Sequence, residues 1–174
     1  MTYHTLIVYS STDGQTQKIC DYIASEIETQ THRVRCENIA DVDTSMLAQA
    51  QQVIIGASIR YGKFQQDFHH FVHEHRFTLD MKDNAFFCVN LVARKNEKNM
   101  PHNNPYMIKL LKNMQWQPKK LGVFAGKLDY PAYKFLDKIM IRFIMWMTKG
   151  PTDCSQTYEF TRWERVSHFA EQLK

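Results

Sequence analysis

Several motifs common in nucleotide-binding and disulfide-rich proteins are absent from this sequence. Neither GxxxxGK(S/T) nor GxGxxG occurs, which argues against a nucleoside triphosphate with magnesium and against a separate dinucleotide site. The four cysteines, Cys20, Cys36, Cys88 and Cys154, contain no CxxC pair. We therefore expect reduced thiols and no zinc site. With only 6 glycines and 5 prolines, the chain does not read as disordered or low-complexity.

Long apolar runs are also absent. The apolar segments contain charges and are too short to cross a bilayer, and the N-terminus lacks the pattern of an export signal. We expect one domain over residues 1–174. The formal charge of +4 favours anionic partners such as lipid, nucleic acid or a carboxylate-bearing substrate. The basic residues are too dispersed for a nucleic-acid-binding face, so no nucleic-acid partner is expected.

The stretch LIVYSSTDGQT at residues 6–16 organises the rest of the chain. An apolar run typical of a buried strand breaks into a hydroxyl-rich turn, and a helix is predicted over residues 15–30. A strand that feeds a helix N-terminus offers free backbone N–H groups, to which Ser11, Thr12 and Thr16 add hydroxyl donors. The loop contains no lysine, so it predicts a cradle for a phosphomonoester; an ordinary capped turn is the alternative.

Apolar strands alternate with helices along the remainder of the chain. Further strands are predicted at 33–37, 52–58, 85–91 and 121–126, and further helices at 43–50, 65–76, 105–114 and 161–173. Asp43 or Thr44, Asn104 and Thr161 are the predicted helix caps, the last in a capping box with Glu164. This order predicts an α/β three-layer sandwich with a five-stranded, parallel, doubly wound sheet. The loops at 10–16, 58–63 and 90–95 should then meet at one ligand.

The phosphate loop and two later loops carry a resemblance to a known family. Residues 7–16 resemble the flavodoxin signature, in which a hydroxyl-rich loop holds the phosphate of FMN. Residues 56–62, 89–95 and 126–150 resemble, more specifically, the flavodoxin-like, menaquinone-dependent protoporphyrinogen oxidases of bacterial haem biosynthesis. The resemblance covers essentially the whole chain. It implies a flavodoxin-like fold and an FMN-dependent, six-electron oxidation of protoporphyrinogen IX to protoporphyrin IX, with menaquinone or ubiquinone as acceptor.

The resemblance also implies the positions that contact FMN. These are Ser10, Ser11, Thr12, Asp13, Gly14, Gln15 and Thr16 at the phosphate, Ser58, Ile59, Arg60, Tyr61 and Gly62 on one side of the isoalloxazine, and Asn90, Leu91, Val92 and Ala93 on the other. Flavodoxins are acidic and usually place an aromatic ring in the third loop. This chain is basic and has none there, which leaves Tyr61 as the nearby ring.

Residues 127–150 form an insert after the last strand, for which we predict an amphipathic helix. One narrow stripe of this helix carries Lys134, Lys138, Arg142 and Lys149. The wide apolar arc consists of Phe135, Leu136, Ile139, Met140, Phe143, Ile144, Trp146 and Met147. The pattern is typical of a helix in a membrane interface, facing the quinone; a buried packing helix is the alternative. We therefore expect a peripheral protein at the cytoplasmic face of the inner membrane.

Arg60, Arg94, Lys95 and Arg142 are candidates to bind the substrate propionates, and the arginines are suited to this because guanidinium groups bind carboxylates through two parallel hydrogen bonds. A solvated surface charge is the alternative for each. His69, His70, His73 and His75 are interpreted as a solvated helix face rather than a metal site. No general base can be named from the sequence.

Two other functions remain open at this point. A flavodoxin-type electron carrier should be acidic in order to dock on cationic redox partners. A flavin-dependent quinone reductase with a nicotinamide donor should carry a dinucleotide motif, which is absent.

Overall fold

A sheet of five parallel strands forms the centre of the protein in the computed structural model, which describes residues 3–174. The strands are β1 (Thr5–Ser10), β2 (Val34–Asn38), β3 (Gln52–Arg60), β5 (Asp83–Asn90) and β6 (Lys120–Ala125), in the order β2-β1-β3-β5-β6. A two-residue strand, β4 (Lys63–Phe64), folds back antiparallel on the end of β3. The predicted doubly wound architecture is confirmed. Its strand order reverses next to β1, where such sheets bind ligands.

Six helices accompany the sheet within residues 3–174. They are α1 (Gln15–Ile27), α2 (Thr44–Gln49), α3 (Gln66–Met81), α4 (Pro105–Asn113), α5 (Phe135–Met147) and α6 (Trp163–Glu171). Helices α1 and α6 pack with Ile7 and Ile54 on one face of the sheet. Helices α2, α3 and α4 pack with Val8 and Ile55 on the other. Successive residues of one strand thus enter opposite cores, which is why the central strands are apolar throughout.

The predicted helix starts are confirmed at two positions and wrong at a third. Asp43 accepts a hydrogen bond from the backbone N–H of Met46, and Asn104 accepts from Tyr106 and Met107. The predicted capping box of Thr161 is wrong, because α6 begins at Trp163 and Arg162 occupies the cap position. The hydroxyl of Thr161 instead donates to the Ala125 carbonyl at 2.7 Å. It also accepts from the side chain of Gln15 at 2.9 Å, so it joins β6 to α1.

A second, small sheet supports the insert. Strands β7 (Lys127–Asp129) and β8 (Thr157–Glu159) pair antiparallel on either side of α5 in the sequence. Leu128, Tyr130 and Met145 form a separate buried cluster over this ribbon. This ribbon is not predictable from the sequence, since strands of three residues are too short to show an alternating pattern.

The cysteines lie where a reduced chain would place them. All four are free, and Cys88 is buried in β5, as predicted. Burial raises the pKa of the Cys88 thiol to about 12, because the thiolate loses its hydration.

Candidate functional site

A cavity of about 330 Å³ opens at the carboxyl ends of β1, β3 and β5. The structure brings together the three predicted loops there, and most of the predicted cofactor contacts line the cavity. The lining members are Ser11, Thr12, Asp13, Gln15, Thr16, Ser58, Ile59, Arg60, Tyr61, Gly62, Asn90, Leu91 and Val92. Ser10, Gly14 and Ala93 do not line it. We refer to this space as the first cavity.

The loop between β1 and α1 places a buried hydroxyl without a hydrogen-bond partner at the start of α1. Gly14 caps α1 with φ +83°, and its N–H donates to the Ser11 hydroxyl at 3.1 Å. Thr16, in the first turn, is buried, and its hydroxyl has no hydrogen-bond partner among residues 3–174. No acidic side chain occupies that turn. A phosphomonoester fits this arrangement, because it would accept from the free N–H groups and from Thr16.

The loop after β3 forms a tight hairpin into β4. Tyr61 and Gly62 have φ +49° and +75°, so both lie in the left-handed region used by two-residue hairpin turns. This conformation suits glycine and strains tyrosine. The hydroxyl of Tyr61 donates to Asp137 in the first turn of α5, which holds its ring at the rim of the first cavity.

Two further aromatic rings line the first cavity, from positions that the sequence analysis did not single out. Tyr106 comes from α4 and Tyr133 from the segment before α5. Burial raises the pKa of the Tyr133 hydroxyl, so the ring stays neutral. Neither residue lies in the three loops predicted to meet at the ligand, and the fold brings both rings to the cavity from other elements.

Arg60 joins three elements at the cavity rim. One terminal nitrogen of its guanidinium donates to Asp13 at 2.9 Å, and the other donates to Asp137 at 3.1 Å. The pairing ties the phosphate loop and the β3–β4 hairpin to α5. Arg60 lines the cavity as predicted, but two protein carboxylates already engage its charge.

Arg94 also lines the cavity and is also engaged. Its guanidinium donates to the Leu91 carbonyl at 2.9 Å and to the carbonyl and hydroxyl of Thr148 at 3.0 and 2.9 Å. Burial lowers the pKa of Arg94. The contact with Thr148 places a cation at the C-terminus of α5, where the helix dipole favours it. Arg142, by contrast, is exposed on α5 and does not line the cavity.

The loop after β5 is shaped from within by Asn90. Its side-chain oxygen accepts from the Ala93 N–H at 3.1 Å and from the Asn104 amide at 3.2 Å. These bonds close a 3-10 turn over Leu91–Arg94. Ala93 points into the hydrophobic core, which explains why it does not reach the cavity.

Helix α5 has two apolar faces. Met140, Ile141, Ile144 and Met145 line the first cavity. The outer face exposes most of the predicted apolar arc, with Phe135, Leu136 and Trp146 at 75%, 77% and 69% exposure. The alternative of a buried packing helix is therefore wrong. In the described part of the chain, none of the helices is both long and apolar enough to cross a membrane.

Three of the four histidines predicted on a solvated face of α3 are exposed, whereas the fourth, His75, is half-buried with its ring against that of Phe71. His69, His70 and His73 are exposed, and His70 lies 3.4 Å from Glu74. Within residues 3–174, no three His, Cys, Asp or Glu side chains group as metal ligands would.

Two named proteins are similar to this chain over nearly its whole length. The protoporphyrinogen IX dehydrogenase (quinone) of Escherichia coli K12 is 41% identical over 169 residues, which are 97% of this chain and 93% of that protein. The protoporphyrinogen IX dehydrogenase (quinone) of Leishmania major is 44% identical over 170 residues, which are 97% of this chain and 73% of that protein.

Solved structures share the fold at low identity. A flavodoxin from Streptococcus pneumoniae TIGR4 aligns with a TM-score of 0.53 and 15% identity, over 97% of this chain and 96% of that one. A short-chain flavodoxin associated with a bacterial microcompartment aligns with a TM-score of 0.54 and 13% identity, over 99% and 97%. A family model described as a flavodoxin domain matches residues 6–155. The chain therefore belongs to the flavodoxin-domain family.

Proposed function

We propose that this protein binds FMN in the first cavity and oxidises protoporphyrinogen IX to protoporphyrin IX, with a membrane quinone as electron acceptor. The observation that carries the proposal is identity of 41–44% over 97% of the chain with proteins named for this activity. The first cavity supports it independently, because its loops come from the three strand ends that a flavin-binding sheet of this order uses.

The phosphate loop is the part of the site that best fits FMN. Ser11, Thr12 and Thr16 would donate hydroxyls to the phosphate, together with the first N–H groups of α1. The hairpin at 58–62 and the turn at 90–92 would hold the isoalloxazine between them. When bound, FMN would serve as the hydride acceptor, a role that no side chain can fill.

The protein's own contribution is binding, orientation and the exclusion of water. Leu91, Ile144 and Met145 give the cavity an apolar wall, which strengthens the polar contacts made inside it. Asp13 is the one carboxylate among the described lining residues, and it is paired with Arg60. Contacts of Arg60 and Arg94 with substrate propionates stay a prediction.

Helix α5 supports attachment to a membrane surface. Its inner face walls the first cavity, while its outer face presents aromatic and aliphatic side chains flanked by Lys134, Lys138, Arg142 and Lys149. This combination is typical of a helix that lies in the interface of an anionic bilayer. We propose that residues 127–150 dock there, at the cytoplasmic face of the inner membrane, so that a quinone reaches the cavity from the lipid.

An anaerobic reconstitution tests the reaction. The purified chain is loaded with FMN, mixed with protoporphyrinogen IX and a soluble menaquinone analogue, and followed by flavin absorbance and porphyrin fluorescence together. We expect the fluorescence to grow only when both FMN and quinone are present. Flavin that binds but is never reduced by the porphyrinogen would instead favour an electron carrier or a quinone reductase.

A further inference from the structure

A second cavity, of about 600 Å³, lies between α3 and α4, beside β4. Its wall is largely apolar and includes Ile59, Phe64, Val72, Leu110, Met114 and Trp116. The volume falls within the range of cavities that enclose drug-sized ligands. The FMN contacts proposed above do not use this cavity.

The charges in this wall are all of one sign. Lys63, Arg76 and Lys109 line it, together with His69 and His73, and the described lining residues include no carboxylate. Lys63 and Lys109 are exposed and form no ion pair within residues 3–174. The i, i+4 histidines of α3 therefore lie in a cationic wall, which would attract an anionic ligand.

Two buried donors in the same wall lack acceptors. The indole N–H of Trp116 is fully buried and has no hydrogen-bond partner among residues 3–174. The Nε of Arg76 also makes no hydrogen bond, although it lies 3.6 Å from Asp80 in an ion pair and Nη1 of the same side chain donates to Gln115 at 2.6 Å. Unsatisfied buried donors are rare in folded proteins because each one is costly. The unpaired indole N–H of Trp116 in this wall points to a ligand that supplies an acceptor atom.

The two cavities are neighbours. Ile59, Gly62 and Tyr106 line both of them, so the β3–β4 hairpin and one tyrosine ring form the partition. A long, flat ligand in the second cavity would lie along the wall that the proposed flavin site uses. The two arginines of the first cavity are engaged by Asp13, Asp137 and backbone carbonyls, and Arg76 is engaged by Asp80 and Gln115. Lys63 and Lys109 are therefore the lining cations that carry no ion pair within residues 3–174.

We infer that the second cavity binds the carboxylate end of a flat, apolar, carboxylate-bearing ligand. This inference rests on the proposed function in its identification of the ligand: the tetrapyrrole substrate and product belong to this class. The propionates lie on Lys63 and Lys109, in place of the predicted contacts with Arg60 and Arg94, and the macrocycle lies against the apolar wall, with its far edge toward the partition. Charge and shape thus select a tetrapyrrole that carries free propionates.

Binding of protoporphyrin IX to the FMN-loaded protein tests the inference. Porphyrin absorbance is the readout, and a detergent keeps the porphyrin monomeric. The test variant is Lys63→Ala/Lys109→Ala, and the matched control is Lys98→Ala/Lys112→Ala, since Lys112 is exposed on the same helix α4 but outside the cavity. We expect the test variant to weaken the Kd at least tenfold and the control to leave it unchanged. Protoporphyrin dimethyl ester, which lacks the carboxylates, should bind both variants equally.

Equal Kd values for the test and control variants would overturn the inference, as would the absence of binding to the unaltered protein. Circular dichroism and the Kd for FMN, both unchanged, would show that the test variant is folded. The proposed function is judged separately, by turnover of the unaltered protein. A chain that turns over normally but shows no charge dependence of porphyrin binding retains the function and loses this site. A chain that binds in the expected way but does not turn over retains the site and loses the function.

Discussion

At the scale of single residues, the hydroxyl of Thr16 gives the sharpest test of the phosphate loop. It is buried without a partner, and leaving such a group unsatisfied costs about 1–3 kcal/mol. Replacing threonine by valine keeps the shape and removes the hydroxyl. We therefore expect Thr16→Val to raise the free energy of unfolding of the FMN-free protein by about 1 kcal/mol. The same change should weaken FMN binding about tenfold, because one hydrogen bond to a charged group is lost.

Urea unfolding without FMN and fluorescence titration with FMN measure the two effects. Thr31→Val, in an exposed turn, is the control and should change neither quantity. A Thr16→Val variant that is less stable without FMN and binds FMN normally would show that this hydroxyl serves the fold and not the cofactor.

The roles of single side chains were only partly predictable. Ser11, Thr12 and Thr16 follow a strand directly, so their place in the cavity could be predicted from local order alone. The partners of Arg60 could not, because Asp13 and Asp137 lie 47 and 77 residues away in sequence. Only the placement of α5 decides that both carboxylates reach one guanidinium.

At the scale of elements, the C-terminus of α5 contains a residue poorly suited to its backbone. Lys149 has φ +57°, and the N–H of Gly150 donates to the Met145 carbonyl at 2.7 Å. The N–H of Lys149 donates to the Trp146 carbonyl, which completes a Schellman motif. Glycine is usual at the left-handed position of this motif, since other L-residues cost about 1–2 kcal/mol there.

We accordingly expect Lys149→Gly to raise the free energy of unfolding by about 1 kcal/mol. Lys138→Gly, in the interior of the same helix, removes the same side chain and should lower it by about 1 kcal/mol. Urea denaturation of both variants measures the contrast. Two variants that shift in the same direction would mean that loss of the lysine side chain, and not the backbone conformation, determines the result.

Some helix and strand boundaries could not be predicted from the sequence, because tertiary contacts override local sequence patterns. Thr161 and Glu164 match a capping box, yet the Thr161 hydroxyl is drawn to Ala125 and Gln15 in the folded sheet. The β7–β8 ribbon has no local signal at all. The long apolar strands, by contrast, could be predicted because both of their faces are buried.

At the scale of the whole molecule, the exposed face of α5 should couple membrane binding to electron transfer. Each apolar side chain that leaves water contributes about 1.5–3 kcal/mol, so the loss of two of them should abolish attachment. We expect Phe143→Asp/Trp146→Asp to stop flotation with anionic liposomes and to lower turnover at least tenfold when the quinone is embedded in them. Turnover with a soluble quinone analogue should remain unchanged, since neither side chain lines the first cavity.

Phe77→Asp provides the control for this prediction. Phe77 is 76% exposed, as much as the residues of the α5 face, but it lies on α3. If the variant at Phe77 lost flotation as well, general surface hydrophobicity would explain binding and α5 would have no special role. If the α5 variant lost turnover with the soluble analogue too, α5 would act on the cavity itself. Only loss confined to α5 and to the embedded quinone places the helix between the lipid and the flavin site, with one apolar face toward each.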